Sequence, residues 1–195
     1  MRCICRRLAT PLHEVNSSFY KIPREANFYR WAAETPPAFR FTVKLWRGIT
    51  HAGSFVWEPA VIERFLDAAK ALGNKKGCLL VQLPPSVRSE KTGELERLLE
   101  CIVSFDPRCE WKLAVEFRHN SWYSPATGIL LEQYNAARVL QDMPASLSWQ
   151  PAGNETFIYL RYHGPTGDYK GGYSDTRLES DAISIKQSLY VRKGN

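Results

Sequence analysis

No long hydrophobic run occurs anywhere in this chain. Uninterrupted apolar stretches, such as residues 78–81, fall far short of the roughly 20 residues that span a bilayer. The opening residues 1–7 carry charge with no apolar stretch behind them, which argues against a secretory signal. A cytoplasmic location without membrane contact is therefore expected. Cysteine is scarce and unpatterned: five residues, at positions 3, 5, 78, 101 and 109. An odd, irregular set suits reduced thiols better than a disulfide framework. Cys3 and Cys5 could open a metal site, but no second pair follows at finger-like spacing. The His-Glu-x-x-His motif is missing, so the four histidines with Glu14, Glu116 and Asp142 have no local support as a metal centre. No metal is assigned, and any cofactor stays open. The P-loop pattern, internal repeats and low-complexity linkers are absent as well.

What remains is an ordinary globular composition: 195 residues, 44% hydrophobic and 24% charged. That length fits one domain over residues 1–195. The 26 basic residues exceed the 20 acidic ones, giving a net charge of +6. Such a surface favours an anionic partner. The basic residues are scattered, however, and acidic stretches at 58–67 and 90–100 interrupt any stripe. A small anionic ligand thus ranks ahead of nucleic acid.

Strand-like and helix-like segments alternate. Strands are expected at 13–16, 40–45, 78–83, 112–117, 137–140 and 156–162. Residues 40–45 alternate Phe41, Val43 and Leu45 in the two-residue period of a strand. Residues 78–83 (CLLVQL) are apolar almost throughout, as strands buried on both faces are. Helices are expected at 24–34, 59–72, 95–103 and 128–134, and residues 142–155 read as a long loop. The alternation implies βαβ units and a parallel sheet.

Polar residues recur where the strands end: Glu14 and Asn16, Lys44, Gln82, Glu116 with Arg118 and His119, Asp142, then Arg161 and His163. In a parallel barrel these ends face one way and their loops share one basin. Glu116 is a candidate general acid or base, and its alternative is a structural ion pair with Arg118 or Lys44. His119, His163 and Asp142 are candidate proton carriers, and each histidine could equally be a hydrogen-bonded loop residue. Glu14, Asn16, Tyr20, Lys44, His51, Gln82, Arg118 and Arg161 are candidate ligand contacts. The segment 162–175 (YHGPTGDYKGGYSD) surrounds Lys170 with glycines and tyrosines. It could cradle phosphate or close as a lid carrying Tyr169 and Tyr173 over the basin.

The segments EVNSSFY (14–20), RFTVKLWRGITH (40–51), LLVQLPPS (79–86), AVEFRHNSWY (114–123) and YLRYHGPTGDYKGGYSD (159–175) resemble the YecE-like proteins, domain of unknown function seventy-two. The order and spacing match from about residue 12 to 178. The resemblance implies a TIM-like (β/α) barrel without an assigned activity. Against that pattern the first strand is expected to be missing, and the tail at 179–195, where a helix and last strand would follow, to be altered. The expected fold is thus an α/β, TIM-like barrel, incomplete at both ends. The expected function is binding of a small anionic or hydroxylated ligand at the carboxyl ends of the strands, with acid–base catalysis as an option. The alternatives are a non-catalytic remnant and a nucleic-acid-binding or nucleic-acid-processing protein.

Overall fold

The computed structural model describes residues 12–148 and 156–191. Five strands form one parallel sheet: β1 (Leu12–Val15), β2 (Arg40–Lys44), β3 (Lys76–Leu83), β4 (Lys112–Phe117) and β5 (Ala136–Arg138). Their spatial order follows the chain, each strand lying beside its predecessor. β6 (Leu140–Gln141) pairs in parallel with β7 (Leu160–Arg161). Only Val139 separates β5 from β6, and its N–H donates to Val115 O on β4. β5 and β6 are thus one path that leans first on β4 and then on β7. Among the described residues the two sheets do not close into a barrel.

Two single-turn helices follow the first two strands, α1 (Ser17–Tyr20) and α3 (Arg47–Thr50), with α2 (Glu25–Ala33) between them in the chain. α4 (Pro59–Ala69), α5 (Thr92–Phe105) and α6 (Pro125–Gln133) alternate with β3, β4 and β5. α6 starts earlier than the apolar spacing suggests. Ser124 caps it by accepting from Thr127 N–H at 3.3 Å, and Pro125 supplies a helical φ at the first position. The final strand is shorter than expected. Of residues 156–162 only 160–161 form a ladder, because β6 is their only strand partner among the described residues.

The tail also needs correction. A helix, α7 (Asp175–Val191), runs through most of the segment expected to be altered. Ser174 starts it, its Oγ accepting from Arg177 N–H at 3.3 Å. Over residues 175–186 of this helix only Leu178, Asp181 and Ile185 are half-buried, too thin an apolar stripe to stand out in sequence. No helix of the described residues is long and apolar enough to cross a membrane.

Alternation along the strands separates two environments. Val15, Val43, Leu79, Val81, Val115 and Phe117 point outward and join one apolar cluster with Phe28, Ile62, Phe65, Leu98 and Leu131 of the helices. The other face carries a small apolar patch of Cys78, Leu80, Ala114 and Val139, with polar residues above it. Register sets this arrangement. Glu14 is level with Thr42, Thr42 with Cys78, Lys44 with Leu80, and Gln82 with Glu116. A bulge between Phe41 and Thr42 skips Gly77, where a Cβ would meet Phe41 O at 2.9 Å. Without that skipped residue, β3 would present its opposite face to the basin.

Candidate functional site

On the inward face of the strands lies an ion-pair network that reaches from β1 to β7. Arg161 donates from Nη2 to Glu14 Oε1 at 2.6 Å and from Nε to Glu14 Oε2 at 3.0 Å, and its Nη1 pairs with Glu116. Glu116 has no exposed surface and also meets Arg118 Nε at 2.5 Å. Burial by itself would raise the carboxyl pKa, but the charge of Arg161, a hydrogen bond from His163 and the charge of Arg118 outweigh it and hold Glu116 down at about 2. Arg161 is pushed above its ordinary value, because Glu116 and Glu14 more than offset its burial. Tyr159 adds a hydrogen bond to Glu14 at 3.1 Å.

His163, fully buried, joins this network to Asp142. Its Nε2 lies 2.9 Å from Arg118 Nη2 and 3.4 Å from Glu116 Oε1. Its Nδ1 lies 3.2 Å from Asp142 Oδ1, which also accepts from His163 N–H at 2.7 Å. Tyr173 donates to the second oxygen of Asp142, and its phenol is pushed up to about 12 by burial and that carboxylate. Arg118 further donates from Nη2 to Tyr169 OH at 3.2 Å. Tyr169 itself is exposed and sits in left-handed backbone at φ 64°, a strained conformation for a non-glycine residue. Gly164, at φ 90°, permits the loop to fold back, since a Cβ there would lie 2.4 Å from Lys170 O.

The rim is different in kind. Lys44 Nζ donates to Gln82 Oε1 at 2.6 Å and lies 3.8 Å from the centroid of the Phe19 ring. An ammonium has three donors, and no other acceptor among the described residues serves this one. Burial is the main cause that lowers Lys44 to about 8, with Glu116 and Glu14 opposing it and Arg161 and Arg118 reinforcing it. His51 packs edge-on to the same Phe19 ring at 5.0 Å and contacts Thr50 Oγ1 at 2.8 Å. Burial and then the charges of Lys44, Arg47 and Arg118 lower it to about 4. Every charge acting on His51 is positive. In the interior, by contrast, Arg118 and Arg161 are paired with carboxylates. Among the described residues the Lys44 ammonium at the rim has no carboxylate partner.

The structure thus brings together Glu14, Lys44, His51, Gln82, Glu116, Arg118, Asp142, Arg161, His163, Tyr169 and Tyr173. Four expected residues stand apart. His119 Nδ1 accepts from Ser121 N–H at 3.1 Å and caps a 3-10 turn. Asn16 is exposed and makes no side-chain cap on α1. Tyr20 is 67% exposed, and its carbonyl oxygen accepts from Trp46 Nε1 at 3.3 Å. Lys170 is exposed on the glycine-rich loop, its backbone N–H bonded to Asp168. Phe19, Thr50, Arg47 and Tyr159 escaped sequence reasoning. Tyr159 was recoverable, since Phe157, Tyr159 and Arg161 alternate onto one face. Trp122 is core, stacked on Phe117 at 4.8 Å. Cys3, Cys5 and residues 149–155 lie outside the described residues. Among those described, no group of three or more metal-binding side chains converges. A cavity of about 620 Å³ opens beside Asp142 and Tyr173, between Pro144, Leu147 and Pro165.

A family model described as a protein of unknown function, DUF72, matches residues 9–194, past the limit at 178 drawn from the sequence. The UPF0759 protein YunF of Bacillus subtilis (strain 168) is 30% identical over 128 residues, 59% of this chain. That match spans only 42% of the relative's own length. A DUF72 family structure from Enterococcus faecalis V583 superposes with a TM-score of 0.75 at 21% identity, covering 91% of this chain and 77% of that one. Another, from Thermotoga maritima MSB8, gives 0.72 at 24% identity, covering 91% and 74%. At these identities the structures establish a shared fold.

Proposed function

The chain belongs to the DUF72 family, whose function is unknown, and from that premise we propose that its basin binds a small ligand through an anionic group. One observation carries the reading: Lys44 is a buried ammonium with a single protein acceptor, beside a histidine on which only positive charges act. Arg118 adds a guanidinium fixed by Glu116, His163 and Tyr169. A carboxylate or phosphate placed among Lys44, Arg118 and His51 would meet charge-assisted donors whose geometry is set before binding.

The floor supports that rim. Glu116 is sealed, ionised and tied to two arginines, so it anchors Arg118 and Arg161 in place of transferring protons. The group suited to proton transfer near neutral pH sits higher up: Lys44, which burial lowers to about 8. We read residues 1–195 as one barrel-like domain, with the described sheets as its wall. The reach of Arg161 on β7 to Glu14 on β1 supports this, because first and last strands then face each other across one interior.

The test is calorimetry of the whole chain with inorganic phosphate, backed by thermal shift. Phosphate should bind, and Lys44→Met or Arg118→Met should abolish the heat while leaving a cooperative melt. No binding of phosphate, sulfate or simple carboxylates by the unmodified chain would sink the reading and favour a non-catalytic remnant.

A further inference from the structure

Among the described residues two lysines are buried, and they differ in what their amines touch. Lys75 Nζ reaches three acceptors, Ala32 O and Thr35 O at 2.5 Å and Thr35 Oγ1 at 3.1 Å, which uses every donor it has. Lys44 Nζ reaches one, Gln82 Oε1, and otherwise lies on the face of Phe19. Lys70, Lys76 and Lys91 are each paired with a carboxylate. Lys44 thus combines desolvation, fixed position at a strand end and an amine with spare valence. Those are the conditions under which a lysine becomes a nucleophile toward carbonyl carbon. The geometry points to Lys44 as an imine-forming amine that condenses with a small aldehyde or keto acid in the basin.

In its neutral form, which burial makes accessible near pH 8, the Lys44 nitrogen attacks the carbonyl carbon. An N–C bond forms, the C=O π pair moves to oxygen, and a proton passes from nitrogen to that oxygen. The nitrogen lone pair then forms C=N as the C–O bond breaks. The hydroxyl leaves with a second nitrogen proton as water. Amine and carbonyl give imine and water, with no oxidant, reductant or cofactor needed. The imine rests on the anion-site reading only for preferring a keto acid over an uncharged aldehyde.

The experiment is reductive trapping of the whole chain with cyanoborohydride, using glyoxylate in one arm and uncharged glycolaldehyde in the other, read by peptide mass mapping. Lys44 should be labelled at least about tenfold faster than the exposed Lys70, since far more of it is neutral near pH 7.5. Its labelling should saturate, and Lys44→Arg should lose the label. Labelling of Lys44 no faster than of Lys70 in both arms overturns the inference, even where phosphate binds and the anion reading stands. Rapid labelling by glycolaldehyde without any phosphate binding keeps the imine and discards the anion site.

Discussion

On β4, Val115 and Phe117 lie under helices while Glu116, between them, lies against two arginines. The two faces of one sheet therefore rest on different physics. Outward side chains gain by leaving water, a term that depends on area and volume and tolerates an exchange of similar shapes. The charged side chains of the inward face lie above a small apolar patch, and their burial is tolerable only because each finds a partner. Shape is the permissive variable on the first face. Charge is the unforgiving one on the second.

Equal-shape substitutions on the two faces should separate these terms. Glu116→Gln preserves shape but leaves Arg118 and Arg161 without their shared charge, and it should cost about 3–5 kcal/mol of unfolding free energy. Leu79→Met, at a fully buried outward position, should cost less than about 1.5 kcal/mol. Denaturant titration of both variants measures the difference. Similar losses would mean that the ion-pair floor adds no more than ordinary packing, and the contrast drawn here would collapse.

Acid should attack one face only. Glu116 has a carboxyl pKa lowered in the fold from an ordinary 4.5 to about 2. Its contribution is complete above about 4.5 and is lost as pH falls toward 2, because the unfolded chain then binds a proton that the folded one refuses. His51, lowered from 6.5 to about 4, adds a loss in the same direction between those values, since its imidazole charges readily only when unfolded. Stability should accordingly decline from pH 6.5, through His51 down to about 4 and through Glu116 from about 4.5 toward 2. In Glu116→Gln the lower part should shrink, and an unchanged acid limb in that variant would place the acid sensitivity elsewhere.

The apolar face was far more legible in sequence than the polar one. Phe41, Val43 and Leu45 in the run RFTVKL, and the continuous CLLVQL, declare strands because their period or hydrophobicity is local. Glu116, Arg118, Arg161 and His163 could be placed at strand ends, and their convergence followed from parallel geometry. What stayed hidden was the pairing itself. Whether Glu116 acts as a base or as an anchor depends on Arg161, 45 residues away, and no spacing rule reports which long-range partner a charge selects. Phe19 was invisible for the same reason, since its contact with Lys44 depends on how α1 folds back over β2. His119, three residues from Glu116, stands apart from the network because its ring turns aside to Ser121.

The smallest predicted effect bears most directly on function. Lys44→Met alone would strand Gln82 Oε1, so the informative variant is Lys44→Met with Gln82→Leu, which removes both partners together. A lysine lowered in the fold costs stability wherever the unfolded chain holds it charged. That cost is full below pH about 8 and fades as pH rises to 10.5. The double variant should therefore match or exceed the parent at pH 7 by up to about 1 kcal/mol, with the gap closing toward pH 10.5, and it should no longer bind phosphate. A residue kept despite a stability cost, and needed for a ligand, is one retained for its chemistry. If the double variant instead unfolds much more easily than the parent at pH 7, Lys44 belongs with Glu116 among the struts of the floor, and the division between floor and rim must be redrawn below it.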